Sequence, residues 1–144
     1  MDTTCVFCKI IRGEIPSHKI YEDEHYFAFL DIHPISLGHT LIIPKKHSPD
    51  FVHATSEDRK GLLEIAAKIT PSILKEVHSP AFNIGINTGK ESGQIIFHTH
   101  MHIIPRKEKD GLSSWKNTAI TDEKLSITAQ RIRENLSSFY SPNT

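Results

Sequence analysis

The stretch "HTHMH" places an imidazole at every second position, His98, His100 and His102. On an extended strand, residues two apart share a face, so the three rings line one side while Phe97, Thr99, Met101 and Ile103 turn to the other. A merely solvent-facing edge would be served as well by serine or threonine. One metal held by all three fails on geometry, because at about 3.3 Å per residue the outer pair stands roughly 13 Å apart at Cα, too far for bonds near ~2 Å. A division of labour fits better. A central His100 acts as nucleophile or base, since imidazole is substantially neutral near pH 7 and attacks phosphorus or carbonyl centres. Its far nitrogen must then carry the proton and be held by an acceptor, and an anionic substrate needs donors around it.

Cys5 and Cys8, the only two cysteines, form a second constellation. A thioredoxin-type redox pair wants a strand before it and a helix after it in a βαβ setting, and a motif at position 5 has no such strand. Two thiolates need two further ligands to close a tetrahedral zinc site, and two buried thiols without metal are the remaining reading. "NTGKESGQ", just before the triad, is a glycine-rich loop of the kind that lets backbone N–H groups approach oxyanions, and equally an ordinary hairpin loop.

The elements that must position these groups follow from pattern. Residues 6–12 suit a short helix before the "GEIP" turn. "HKIYEDEHYFAFLDI" reads as two strands joined near Asp23 and Glu24, and "HTLIIP", residues 39–44, as a buried strand. Thr55 and Asp58 fit a capping box that opens a helix to about His78, with Leu62, Ile65, Ala66, Ile69, Ile73 and Val77 at helical spacing. Pro71 predicts a kink, or an end and restart, within it. "AFNIGINTG" and "IIFHTHMHIIP" are further strands. Residues 106–121 form an irregular polar loop, and a second amphipathic helix runs from about Asp122 to Tyr140, with Leu125, Ala129, Ile132, Leu136 and Phe139 on one face. Strands, a helix, more strands and a terminal helix predict an α+β fold with a mainly antiparallel sheet.

The 144 residues suffice for one domain. Lysine plus arginine equals aspartate plus glutamate at 17 each, so no strong field draws the chain to nucleic acid or to a membrane surface. No run approaches the roughly 20 apolar residues of a membrane span. "MDTTCVFCKIIRGEIP" does not read as a signal peptide, and a cytoplasmic location with reduced thiols is expected.

The triad, together with "FLDI", "LGHTLIIPKKH" and "NTGKESGQIIFHTHMHIIPR", in that order between Cys5 and Arg106, resembles the histidine triad (HIT) family of nucleotide hydrolases and transferases, its bacterial Hit branch above all. The resemblance implies a five-stranded antiparallel sheet with two main helices, paired into a ten-stranded sheet in a homodimer. It implies a single HIT domain over 1–144, with the motifs in 5–106 and a C-terminal loop and helix in 107–144. The implied activity moves AMP or GMP from a phosphoramidate, an adenylate or a dinucleoside polyphosphate to His100 and then to water, with no catalytic metal. A nucleotide-binding sensor or scaffold with a structural zinc is the alternative. By the same resemblance His102 and His39 support His100, and Asp31 accepts the ribose hydroxyls. Asn87 and Gln94 contact the phosphate or leaving group, Gly93 lets the backbone approach it, and Ile95 stands where the Hint branch carries a serine that helps the amine leave. A related transferase branch supplies the remaining zinc ligands, giving Cys5, Cys8, His47 and His98.

Overall fold

The computed structural model describes residues 2–112 and 116–140, with side chains described as far as residue 136. Two compact units divide the chain, Met1–Asp110 and Gly111–Thr144. The first holds a five-stranded antiparallel sheet in the order β1-β2-β3-β5-β4. Its strands are β1 (Lys19–Glu22), β2 (Tyr26–Leu30), β3 (Thr40–Pro44), β4 (Ala81–Gly85) and β5 (Met101–Arg106). The hairpin of β1 and β2 turns at Asp23, whose carboxylate accepts the N–H groups of His25 and Tyr26.

Alternation along the strands sends side chains to two cores, one on each face. Ala28, Ile42, Met101 and Ile103 pack with Leu62, Ile65, Ala66 and Ile73 of α2 (Ser56–Val77). Phe27, Phe29, Leu41 and Ile43 pack with Phe7 and Ile10 of α1 (Val6–Ile11) on the other face. β3, central and covered on both sides, is buried at every residue.

The Thr55 hydroxyl caps α2 by accepting the Asp58 N–H at 3.0 Å. The end and restart that Pro71 allowed do not occur: α2 runs through it for 22 residues. Pro71 and Ala67, whose carbonyl loses its partner to the proline ring, both lie on the exposed face, where that oxygen need not be buried unpaired.

The strand expected to carry all three histidines is also shorter than the pattern predicts. β5 begins at Met101, so His98 and His100 precede it and only His102 lies within it. The ladder pairs Ile42 with Met101 and Leu41 with His102. Continued by two residues it would set Pro44 against Thr99, and Pro44 has no N–H to offer. Thr99 pairs instead with the loop after β3, donating its N–H to the Ser48 carbonyl at 2.8 Å.

In the second unit α3 (Asp122–Tyr140) matches the expected helix, with Leu125, Ile132 and Leu136 exposed. Phe139, assigned by pattern to that face, lies outside the described side chains.

Candidate active site and metal centre

The sheet face that meets α1 carries the histidines. His39 leads into β3 and His102 lies in β5 opposite Leu41. His98, His100 and His39 are buried. His98, His100 and His102 form a row in which the His100 ring stands 5.0 Å from that of His102.

Carbonyls and backbone N–H groups assign the proton on each ring, because a carbonyl only accepts and an N–H only donates. His100 Nδ1 lies 2.7 Å from the His98 carbonyl, so Nδ1 carries the proton and Nε2 keeps its lone pair. His39 Nδ1 accepts the Ile35 N–H at 3.1 Å, which puts the His39 proton on Nε2. That proton is donated to His102 Nδ1 at 2.9 Å. His102 must therefore carry its own proton on Nε2, a buried donor with no partner among the described residues. A buried donor left unpaired costs on the order of 1–3 kcal/mol, and a bound acceptor would recover it.

Burial pushes all four imidazoles toward the neutral form. It lowers His39 and His100, and it takes His102 and His98 down to about 4. The Asp31 carboxylate, 3.7 Å from His39 Nε2, opposes this for His39, His100 and His102. Asp31 Oδ1 accepts the His33 N–H at 2.8 Å, which aims the carboxylate and leaves lone pairs for a ligand. Asp31, His39 and His102 are also close enough to suggest a metal site. The proton fixed on His39 Nε2 by the Ile35 N–H makes that nitrogen a donor and argues against it.

The loop before the triad is braced by Gln94. Its carbonyl accepts the Gly89 N–H at 2.9 Å and its amide donates to the carbonyls of Pro49 and Ile96. A phosphate contact from this side chain would displace one of those partners. Gly93, at φ 102°, adopts a left-handed conformation, and a Cβ there would sit 3.4 Å from Asn87 Nδ2. Asn87 is half-buried, and Ile95 exposes 87% of its surface.

The four residues expected around a metal converge. His98 Nε2–H donates to the Pro44 carbonyl at 2.8 Å, so Nδ1 turns a lone pair to the thiols. Cys5 Sγ and Cys8 Sγ lie 3.5 and 3.6 Å from it. His47 Nδ1 lies 3.5 Å from Cys8 Sγ and 3.2 Å from His98 Nδ1. A tetrahedral ion with bonds of about 2.0 Å to nitrogen and about 2.3 Å to sulfur separates its ligand atoms by roughly 3.3–3.8 Å. The donor set and its spacing therefore fit zinc, and four protein ligands leave no open position.

Several residues in this arrangement escape a reading of the sequence. Ile35 and Pro44 act through backbone atoms, which no side-chain pattern reveals. Ser48 comes from the loop after β3, and nothing in the sequence ties it to Thr99. Gly85 lies opposite His102 in the ladder, and a Cβ added there would meet nothing within 4 Å. Its missing side chain leaves space open beside that ring.

A five-stranded sheet bearing an imidazole row of this kind defines a class, and sequence comparison agrees. The HIT domain profile matches residues 12–109, and the chain belongs to the HIT domain family. It is 48% identical over 117 residues to Protein hit of Bacillus subtilis, covering 80% of this chain and 81% of that one. It is 42% identical over 127 residues to Adenylylsulfatase HINT3 of Arabidopsis thaliana, covering 88% of this chain but only 64% of the longer plant protein. Among solved structures, a histidine triad nucleotide-binding protein from Candida albicans superposes with TM-score 0.82 at 34% identity, covering 94% of this chain and 99% of the other. A zinc-bound histidine triad family protein from Mycobacterium smegmatis superposes with TM-score 0.73 at 34% identity, covering 94% and 97%.

Proposed function

We propose that the protein transfers a purine nucleoside monophosphate, AMP or GMP, from a phosphoramidate, an adenylate or a dinucleoside polyphosphate onto His100 and then to water. The observation that carries this is the 2.7 Å bond from His100 Nδ1 to the His98 carbonyl, which leaves Nε2 as a neutral, oriented nucleophile. Its lone pair attacks the α-phosphorus as the bond to the leaving group breaks. The unpartnered Nε2–H of His102 donates to a phosphoryl oxygen or to the departing atom, a stabilisation delivered by a donor fixed in advance through His39. The Asp31 carboxylate receives the ribose hydroxyls. Water then attacks phosphorus and gives up a proton to solvent, and the Nε2–P bond breaks, releasing the monophosphate and returning the electron pair to Nε2.

In the same reading residues 1–144 act as one HIT domain, and Cys5, Cys8, His47 and His98 hold a structural zinc. A zinc ion there would cross-link α1 to the sheet. The zinc-bound Mycobacterium smegmatis relative and the four converging donors support this assignment. The exposed β4 edge supports a homodimer.

The test is turnover by wild type and His100→Ala of adenosine phosphoramidate, adenylyl sulfate, an aminoacyl adenylate and diadenosine tri- and tetraphosphate. Turnover in the wild type that falls by a factor of ~10⁴ or more in the variant is the expected result, the usual scale for losing a nucleophile. A wild type that binds AMP but turns over none of these would make the protein a nucleotide sensor.

A further inference from the structure

We propose that the Cys5, Cys8, His47 and His98 cluster sets the geometry of His100, with Phe7 as the positioning residue between them. The proposal rests on the reading of His100 as nucleophile and adds to it how that ring is held.

Three routes run from the cluster to the ring. The first is α1, whose six residues are too few for a helix to be stable alone. It is held at its start, where Cys5 Sγ accepts the Cys8 N–H and both thiols face His98 Nδ1. Phe7 lies between Cys5 and Cys8 in the sequence and is 3% exposed. Its ring stands nearly perpendicular to that of His100, at 86° and 5.1 Å between centroids, and to that of His98 at 5.9 Å. The side chain that fixes the tilt of His100 is therefore carried by the segment the cluster anchors. An edge-to-face contact of this kind favours one relative tilt of the two rings.

The second route is His98 itself. Its imidazole faces the thiols while its carbonyl accepts the His100 Nδ1 proton. A shift in the ring that twists the backbone turns the acceptor that fixes the His100 tautomer. The third route starts at His47, whose neighbour Ser48 is bound to Thr99 by the 2.8 Å backbone bond, a 2.7 Å bond between the two hydroxyls and a 3.3 Å bond from the Thr99 hydroxyl to the Ser48 carbonyl. Thr99 is the residue between His98 and His100. With the four ligands gathered, all three routes hold the ring in one place. With them apart, α1 and the His98 peptide loosen together and the nucleophile loses its orientation.

The experiment follows the imidazole of His100 in the full chain labelled with ¹⁵N-histidine. Wild type is compared loaded with one equivalent of Zn²⁺ and after stripping by a chelator, beside Phe7→Leu and Phe7→Tyr, both fully loaded. In loaded wild type the His100 Nδ1 proton should be visible and slow to exchange. Stripping should shift the His100 ring nitrogens and speed that exchange. Phe7→Leu should do the same while keeping one zinc per chain, and Phe7→Tyr should keep the wild-type pattern. Turnover should fall about 10- to 100-fold in Phe7→Leu, the cost of a misplaced reacting group. If stripping also unfolds the chain, the loaded Phe7 variants decide alone. His100 signals indifferent to Phe7→Leu, or a chain that takes up no zinc, would overturn the proposal. Absence of turnover in every form would remove the catalytic reading, and the ring signals would still decide the coupling.

Discussion

A backbone partner sets the tautomer of His39, His98 and His100, and the His39 ring sets that of His102, which makes the residues separately testable. His102 sits at the end of a chain of bonds from the Ile35 N–H through His39. Burial first, then the neighbouring His100 and His39, takes its pKa from 6.5 to about 4, and burial lowers His39 too. The folded protein therefore binds fewer protons than the unfolded chain between those values. Stability is fully present above about pH 6.5 and falls as the pH drops toward 4. The urea midpoint should decline from pH 7.5 to pH 5, and His102→Asn, which keeps an acceptor for His39, should flatten that decline. An unchanged slope in the variant would mean that other groups dominate.

Elements carry the next set of consequences. α2 packs against the hairpin through Gly61, where an added Cβ would overlap the Tyr26 ring. The Tyr26 hydroxyl lies over the start of the helix, 3.2 Å from the Glu57 carbonyl. Gly→Ala in an exposed helix stabilises by about 1 kcal/mol. At Gly61 the sign should reverse, with a loss of roughly 1–3 kcal/mol as Tyr26 is displaced, read from urea unfolding. The Ser48–Thr99 clamp is a second case. Thr99→Val keeps the shape and leaves the Ser48 hydroxyl buried without its partner, which should cost about 1–3 kcal/mol. An equal loss in Ser48→Ala and in the double variant would show that the pair acts as one unit.

At the scale of the molecule, β4 is one of the two edges of the sheet and presents Phe82 and Ile84, 39% and 42% exposed, on one side. Such an edge invites pairing with another strand. A homodimer that continues the sheet there predicts a dimeric mass in light scattering for wild type and a monomeric mass for Ile84→Glu. A monomer at all concentrations for wild type would sink it. No helix among the described residues is long and apolar enough to cross a membrane.

Local patterns in the chain were enough to place α1, the β1–β2 hairpin, β3, the Thr55 cap of α2 and the terminal helix, because apolar spacing and caps act over a few residues. They also named the chemistry-bearing groups, since closely spaced histidines and cysteines are typical zinc ligands and nucleophiles. Tertiary structure alone decided the rest. Pro71 stays helical because its face meets water, which is a property of packing. β5 starts at Met101 because the neighbouring β3 ends in a proline with no N–H to pair. The tautomers of His39, His98 and His100 depend on the carbonyl or N–H that each ring meets. Two of those partners, Ile35 and Pro44, come from the ends of other segments, where no spacing along the triad could reveal them.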